Sequence, residues 1–256
     1  MRLSILTLFH FGQFTNFKAF YTHYVSIHLG ELFPDLVSYQ RVVALKKKAA
    51  VPLMMFLKTK ALGKCRGIRF VDSTPLKVCH NRRIHPHRTF KNVAERGYCS
   101  IGWFYGFKLH LIINDQGEII SFFLTKGNVD DRNYKVMKSM TENMFGKLFA
   151  DKGYISKKGS DLLFGKGIQL IAKPKRNMKT THLSQSDKSL LPKRAIIESV
   201  NDELKNICKI QHTRHRAVGN FLINIIAALT PYSFFPKKPS LNIQFEKESA
   251  QLALDA

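Results

Sequence analysis

Short strand-like segments and amphipathic helical segments follow one another from about residue 66 onward, and this order constrains the fold most. A β-branched apolar segment at 67–71 is followed by two segments, 106–113 and 118–124, which an Asn-Asp-Gln-Gly turn joins into a hairpin. Two further strand-like segments, 148–150 and 168–172, each follow a helical pattern. Early strands and later strand–helix alternation predict an α/β sheet with helices on its faces.

The chain divides into three predicted parts. Residues 1–62 form a helical N-terminal region, because apolar residues recur at helical spacing on both sides of Pro34. Residues 63–235 form the α/β domain. Residues 236–256 form a polar C-terminal tail that we expect to be poorly ordered.

The charge balance limits the class of partner. The chain has 41 Lys and Arg against 18 Asp and Glu, a net charge of +23, and 45% of its residues are hydrophobic. This apolar content excludes a disordered chain. The charge argues against an enzyme for small cationic substrates and favours a polyanion partner, of which nucleic acid is the commonest. An anionic membrane surface is the competing interpretation.

Neither the cysteines nor the uncharged stretches indicate secretion or a membrane span. The four cysteines form no C-x-x-C pair, so we interpret them as reduced thiols of a cytosolic protein. Stretch 3–17 contains polar residues and lacks a cleavage site, which argues against a signal peptide. Stretch 217–236 contains Asn220 and Asn224 and is predicted to be a buried helix that ends at Pro231.

Three carboxylates occupy positions that suit a shared site. Asp72 and Asp151 each follow a predicted strand, and ligand groups in α/β sheets lie where strands end at a crevice. The residues Asp72–Pro75 are expected to end the first strand. Glu198 lies on the polar stripe of an amphipathic helix, opposite its apolar face. Alternatively, Asp72 forms only an Asx turn and Glu198 only pairs with Arg194.

Carboxylate oxygens in cationic surroundings suit hard divalent ions. Mg²⁺ takes oxygen ligands, and two such ions about 3.5–4 Å apart can act on a phosphodiester.

Five motifs occur in one order along the chain. They are Val71-Asp72-Ser73-Thr74-Pro75, Gly106-Phe107-Lys108-Leu109-His110, Gly127-Asn128-Val129-Asp130-Asp131-Arg132, Ala150-Asp151-Lys152-Gly153-Tyr154 and Arg194-x3-Glu198-x6-Lys205. The set closely resembles the DDE transposases of bacterial insertion sequences, specifically the IS982 family, over about residues 12–235.

The resemblance implies a fold, a cofactor and partners. It implies an RNase H-like mixed sheet flanked by helices, in which Asp72, Asp151 and Glu198 are catalytic and bind two Mg²⁺ ions, for which Mn²⁺ substitutes. It implies cleavage at the element's ends, followed by attack of the freed 3′-hydroxyl on target DNA. The implied partners are double-stranded DNA, as terminal inverted repeats and target, and a second copy of the chain in the active complex. The implied location is the bacterial cytoplasm, in association with the nucleoid and without a membrane.

Further residues are expected to contact DNA. Arg194 and Lys205 match the basic positions of the last motif, and Lys152 and Tyr154 follow the second acid, where the tyrosine would stack on or position DNA. Two basic segments are expected to face DNA phosphates. The first contains Arg82, Arg83 and Arg88, and the second contains Lys173, Lys175 and Arg176. The first segment adjoins Cys79, His80, His85 and His87, whose spacing fits no common zinc pattern.

Three smaller predictions complete the interpretation. Trp103, Phe104 and Tyr105 are expected to pack in the core or the hairpin, not to form a stacking surface. Asp130 and Asp131 match a family motif and could shape the site, although capping of a helix over 131–145 is the simpler account. The chain starts within a predicted helix, whereas family members carry further N-terminal sequence, which suggests a misassigned start or a truncated copy.

Two alternative functions therefore remain open at the sequence level. One is an RNase H-like nuclease that cuts DNA without strand transfer. The other is a truncated, inactive remnant that only binds DNA.

Overall fold

The structure is a computed structural model that describes residues 2–174, 183–211 and 215–241. The strands are β1 Ile68–Cys79, β2 Glu95–Cys99, β3 Gly102–Asn114, β4 Ile119–Lys126, β5 Gly146–Phe149 and β6 Ile168–Ile171. The α-helices are α1 Arg2–Phe11, α2 Phe17–Ala19, α3 Ser26–His28, α4 Tyr39–Phe56, α5 Tyr134–Met140, α6 Lys157–Phe164, α7 Gln185–Lys193, α8 Ile196–Asn206 and α9 Val218–Ser233. π-Helical turns at Phe20–Val25 and Leu57–Ala61 follow α2 and α4, and 3₁₀ turns form at Asn81–Arg83 and Lys152–Tyr154.

The strands form one mixed sheet with β1 and β3 at its centre. β1 is antiparallel to β3 and parallel to β5, and β5 is parallel to β6. β2 and β4 are both antiparallel to β3 and follow each other along it. A mixed sheet flanked by helices, with a helical region before it, confirms the predicted fold class.

β1 continues beyond the point where the sequence predicts its end. Asp72–Pro75 was expected to stop the strand, but the ladder with β3 runs from Arg69 to Cys79. That prediction was wrong because β3 supplies a long antiparallel partner. The described pairing with β5 ends at Phe70, so the rest of β1 is an edge strand on that side, the setting in which proline is tolerated.

Side chains of β1 alternate between two apolar layers. Phe70 and Leu76 belong to the larger core cluster, which includes residues of α4, α8 and α9. Val71 belongs to a smaller cluster on the other face, which includes residues of α5 and α6 such as Met137 and Leu163. The sheet is thus covered on both faces, as an α/β architecture requires.

α9 is the buried helix predicted for the uncharged stretch. It extends to Ser233, beyond the predicted end at Pro231, and most of its side chains are buried. It contacts α1 and α4, so the N-terminal helices pack on the same core as the sheet. None of the described helices combines the length and the apolar character needed to cross a membrane.

The predicted polar tail is described only as far as residue 241. Within that part, the backbone N–H of Leu241 donates to the carbonyl of Asp115 at 2.8 Å, in the turn between β3 and β4. Residues 242–256 lie outside the described part of the chain.

Gly106 allows β1 and β3 to approach closely. A Cβ at this position would lie 2.1 Å from the carbonyl oxygen of Leu76, a backbone atom that cannot rotate away. We expect Gly106→Ala to lower the free energy of unfolding by about 1–3 kcal/mol, measured by chemical denaturation. Gly219→Ala is the control, because nothing lies within 4 Å of its Cβ position in α9. Equal stability of the two variants would contradict the close approach.

Candidate active site

The site forms where β5 ends and β1 continues. The last described pair between these parallel strands joins Phe70 to Phe149. Asp72 and Asp151 each lie two residues beyond that pair, so both reach the same level at the edge of the sheet. The end of one parallel strand beside a longer neighbour creates the crevice in which α/β sheets place ligand groups.

α8 brings the third predicted carboxylate to this crevice. The helix packs on β1 and α9 by an apolar face that includes Ile197, Val200 and Leu204, all fully buried. Glu198 lies in its first turn, on the opposite side. Asp72, Asp151 and Glu198 line one cavity of about 530 Å³. Its other charged and amide residues are Lys108, Asp131, Arg194, Asn201, Asp202 and Lys205.

Asp72 is the most enclosed of the three carboxylates. The Nδ2 of Asn201 donates a hydrogen bond to its Oδ2 at 3.2 Å. Burial raises the pKa of Asp72 to about 6, and the negative charges of Glu198 and Asp131 add to this, against the Ser73 backbone N–H and Arg194. A nearby cation would stabilise the ionised form of Asp72, because its charge offsets both the cost of burial and the repulsion by neighbouring carboxylates.

Glu198 is exposed and forms an ion pair with Arg194, four residues before it. The Nη2 of Arg194 lies 3.1 Å from the Oε1 of Glu198. The pairing that the sequence offered as an alternative therefore exists, and it occurs at the wall of the shared cavity. Exposed pairs of this kind contribute about 0–1 kcal/mol, so the pair can exchange for other partners at low cost.

The donor chemistry of the cavity fits a hard divalent cation. Its three predicted ligands supply only carboxylate oxygens, from β1, from the segment after β5 and from α8. In the part of the chain that the structure describes, no three acidic, His or Cys side chains are grouped closely enough to hold an ion. The three carboxylates share one cavity, and Glu198 forms an ion pair with Arg194 there.

Asp131 lines the carboxylate cavity, so of the two interpretations that its motif left open the structure favours the one in which it shapes the site. Its Oδ1 accepts hydrogen bonds from Ser73 Oγ at 2.8 Å and from Lys108 Nζ at 3.2 Å. The cap of α5 is instead Asn133, whose Oδ1 accepts from two backbone N–H groups. The capping account of Asp131 was wrong because α5 starts at Tyr134, three residues later than predicted.

His110 completes this side of the site. It is buried, its Nε2 lies 2.9 Å from the Oγ1 of Thr125, and its Nδ1 lies 3.9 Å from Asp131. Burial lowers the pKa of His110 to about 4; Asp131 opposes this shift and Lys108 adds to it. The imidazole is therefore neutral at pH 7, and its contact with Asp131 is not an ion pair there.

The predicted DNA-contacting residues differ in their positions. Arg194 and Lys205 line the cavity, as does Tyr154, whose side chain belongs to the smaller core cluster. Tyr154 is only 5% exposed, which argues against stacking of a base on its ring and leaves positioning of DNA as the predicted role. Lys152 and Lys173 are exposed, and so are Arg82, Arg83 and Arg88, which do not line the cavity. Lys175 and Arg176 lie outside the described residues.

Trp103, Phe104 and Tyr105 divide between the two predicted kinds of packing. Phe104 and Tyr105 are buried, whereas Trp103 is 64% exposed and packs across the hairpin on Tyr98, at 5.4 Å between ring centroids. Tyr105 lies two residues after Trp103, on the same face of β3, so burial on this face changes along the strand.

A larger cavity of about 1240 Å³ lies between the N-terminal helices and α9. Its described lining holds the cations Lys18, Lys46 and Arg216 and no carboxylate. It shares no described residue with the carboxylate cavity. Chemistry that needs several carboxylates therefore belongs to the smaller cavity.

These observations define a class of domain: a mixed sheet flanked by helices, with three carboxylates in one cavity where the pairing of β1 with β5 ends. The chain belongs to the family described as "Transposase DDE domain", whose model matches residues 62–218, more than half of its length. This match confirms the predicted relation to DDE transposases. No curated protein sequence matches the chain significantly.

The fold is also similar to that of a solved transposase. The match is the cryo-EM structure of the piggyBac transposase synaptic complex with hairpin DNA, at a TM-score of 0.50 and 10% sequence identity. The similarity covers 91% of this chain but only 64% of that one. At this identity the similarity concerns the fold alone.

The contact between Lys108 and Asp131 should stabilise the protein measurably. Both side chains are largely shielded, at 12% and 30% exposure. A double-mutant cycle with Lys108→Met and Asp131→Asn, measured by denaturant unfolding, should give a coupling of about 1.5–3 kcal/mol. The control cycle uses the exposed pair Arg132–Asp130, for which we expect about 0.2–1 kcal/mol. A coupling no larger than the control's would contradict a structural role.

Acidification should destabilise the protein through His110. Its folded-state pKa of about 4 lies below the ordinary value of 6.5, so between these pH values the unfolded chain binds a proton that the folded chain does not. Stability contributed by the neutral imidazole is therefore lost as the pH falls from 7 to 5, by about 2 kcal/mol. Unfolding of His110→Gln should show a correspondingly smaller pH dependence. An unchanged dependence, equal to that of the exposed control His23→Gln, would exclude His110 as the source.

Proposed function

We propose that this protein is an insertion-sequence transposase of the IS982 type, which cuts DNA at the ends of its element and joins them to target DNA. The observation that carries the proposal is one cavity lined by Asp72, Asp151 and Glu198. All three lie within the segment that matches the transposase family model. The activity also agrees with the net charge of +23, which suits a polyanionic substrate.

The three carboxylates would hold two Mg²⁺ ions, for which Mn²⁺ would substitute. When bound, the ions supply polarisation of the scissile phosphate and stabilisation of the leaving oxygen. Asn201 orients Asp72 through its hydrogen bond, and this fixes one oxygen of the carboxylate. Glu198 would hold the cation in place of its ion pair with Arg194, a low-cost change because the carboxylate is exposed.

Arg194 would link the cation site to the DNA. With Glu198 as a ligand of the cation, the guanidinium of Arg194 would be free to contact a phosphate of a strand in the cavity. Lys205 lies on the same polar stripe of α8 as Glu198 and lines the same cavity, where it would supply a second phosphate contact. Burial lowers the pKa of Lys205, so a phosphate beside it would favour its charged form.

Double-stranded DNA is the proposed partner, as element ends and as target. The solved transposase with a similar fold is a synaptic complex with hairpin DNA, and this supports DNA as the class of partner. Outside the cavity, the exposed Lys152, Arg82, Arg83, Arg88 and Lys173 would add phosphate contacts. A dimer would hold two ends together, in association with the bacterial nucleoid.

Removal of one carboxylate should abolish cleavage without weakening DNA binding. We expect Asp72→Asn and Glu198→Gln to reduce metal-dependent cutting of labelled element-end DNA by about 100-fold or more, because loss of a group that supports a ligand already costs about 10–100-fold. Asp161→Asn, an exposed acid on α6, is the control and should cut normally. DNA affinity and thermal unfolding of each variant separate chemistry from binding and folding.

The products distinguish the proposal from the two alternatives. Cut ends joined to target DNA support a transposase, whereas cutting without joined products supports a nuclease. Salt-sensitive binding with no cutting in Mg²⁺ or Mn²⁺ supports an inactive remnant. Normal cutting by Asp72→Asn would contradict the assigned site.

A further inference from the structure

We propose that Tyr98 and Trp103 form a stacking platform for an unpaired nucleobase of the DNA strand held in the carboxylate cavity. The proposal rests on the proposed function and deepens it, since it names the part of the substrate that this surface binds. The platform is the outer face of the β2–β3 hairpin, which the transposase chemistry does not otherwise use.

The two rings are held side by side by strand pairing. Tyr98 and Trp103 lie directly opposite each other in the β2–β3 ladder, and their ring centroids are 5.4 Å apart at an interplanar angle of 66°. They are 63% and 64% exposed. By contrast, Phe104, Tyr105 and Phe107 of the same hairpin and strand are buried. Within the β2–β3 hairpin, the solvent-exposed aromatic surface is thus that of Tyr98 and Trp103.

The pair adjoins the catalytic carboxylates. Tyr98 lines the carboxylate cavity and also a neighbouring cavity of about 570 Å³, which Trp103 lines. Lys108, Asp131 and Gly153 line both cavities as well. A strand in the first cavity would therefore pass the aromatic pair within a few nucleotides of the cutting site.

Cations surround the rings in the second cavity. Arg96 lies two residues before Tyr98, on the same face of β2, and Arg132 and Lys108 line the same cavity. Its two carboxylates already have cationic partners, because Asp130 pairs with Arg132 and Asp131 with Lys108. Aromatic rings between cations bind single-stranded nucleic acid, where bases stack on the rings and phosphates meet the charges.

An unpaired base fits this surface better than other occupants do. A duplex presents phosphates, sugars and the edges of its bases, but its base faces are stacked on one another and are not free to stack on the two rings. An apolar protein partner would cover the rings but would also remove Arg96 from water without a counter-charge, which is costly. A nucleotide with an exposed base supplies a π-face and a phosphate at once.

The test uses the fact that Trp103 is the only tryptophan of the chain. Intrinsic fluorescence of the full chain, without divalent ion, is followed during addition of three DNAs: a duplex with a single-stranded overhang, the same duplex with an abasic overhang, and the blunt duplex. Stacking on indole should quench the emission with the first DNA and much less with the other two. Equal changes with all three DNAs would overturn the proposal, since phosphate contacts alone would then account for the signal.

Affinity measurements on variants provide the second readout. Stacking is worth about 1–3 kcal/mol per base, so Tyr98→Ala and Trp103→Ala should each weaken overhang binding by about 5-fold or more, with blunt-duplex binding unchanged. Tyr98→Phe and Trp103→Phe should bind normally, which excludes unfolding of the hairpin as the cause. Phe164→Ala, an exposed aromatic on α6 outside both cavities, is the matched control.

The outcomes separate this proposal from the proposed function. Normal cutting without base-dependent quenching would overturn the platform and leave the transposase assignment intact. If the wild type does not cut DNA, but both it and Asp72→Asn show base-dependent quenching, the result would support the platform and contradict the proposed activity. Quenching that depends on protein concentration in the absence of DNA would show that the rings bind a second copy of the chain, and it too would overturn the platform.

Discussion

The early end of the pairing between β1 and β5 is the constraint on which the site depends. Only three residue pairs join these strands before β5 ends, whereas β1 continues with β3 as its antiparallel partner. The ladder with β3 keeps β1 extended through Pro75, so Asp72 has a rigid backbone although its other edge is open. Asp151 reaches the same level because both acids follow the last pair by two residues. The crevice is therefore a consequence of strand lengths.

Compensation of charge governs the rest of the site. Acids are scarce in this basic chain, and three of those around the cavity have specific partners: Asn201 for Asp72, Arg194 for Glu198 and Lys108 for Asp131. Lys108 and Asp131 are 12% and 30% exposed, whereas Arg194 and Glu198 are 21% and 59% exposed. The ion pair of Glu198 is therefore the less shielded of the two and the easier one to exchange. Neutral His110 fills the space behind Asp131 without adding positive charge.

Features that depend on local sequence were predictable, and features that depend on tertiary pairing were not. Alternation in 106–113 identified most of β3, and the amphipathic pattern of α8 placed Glu198 opposite the buried face. Passage of β1 through Pro75 depends on β3, which is distant in sequence. The role of Asp131 depends on Ser73 and Lys108 across the sheet. Exposure of Trp103 depends on how far the core extends along β3, since Tyr105 on the same face is buried, and periodicity alone does not specify that extent.

The packing of α9 against α1 and α4 has a consequence for biosynthesis. The first helices leave the ribosome long before α9, whose side chains fill the core that they share. During this interval the apolar faces of α1 and α4 lack their final partner, so the nascent chain exposes surface that can aggregate or bind chaperones. The shared core can therefore close only after α9 has left the ribosome.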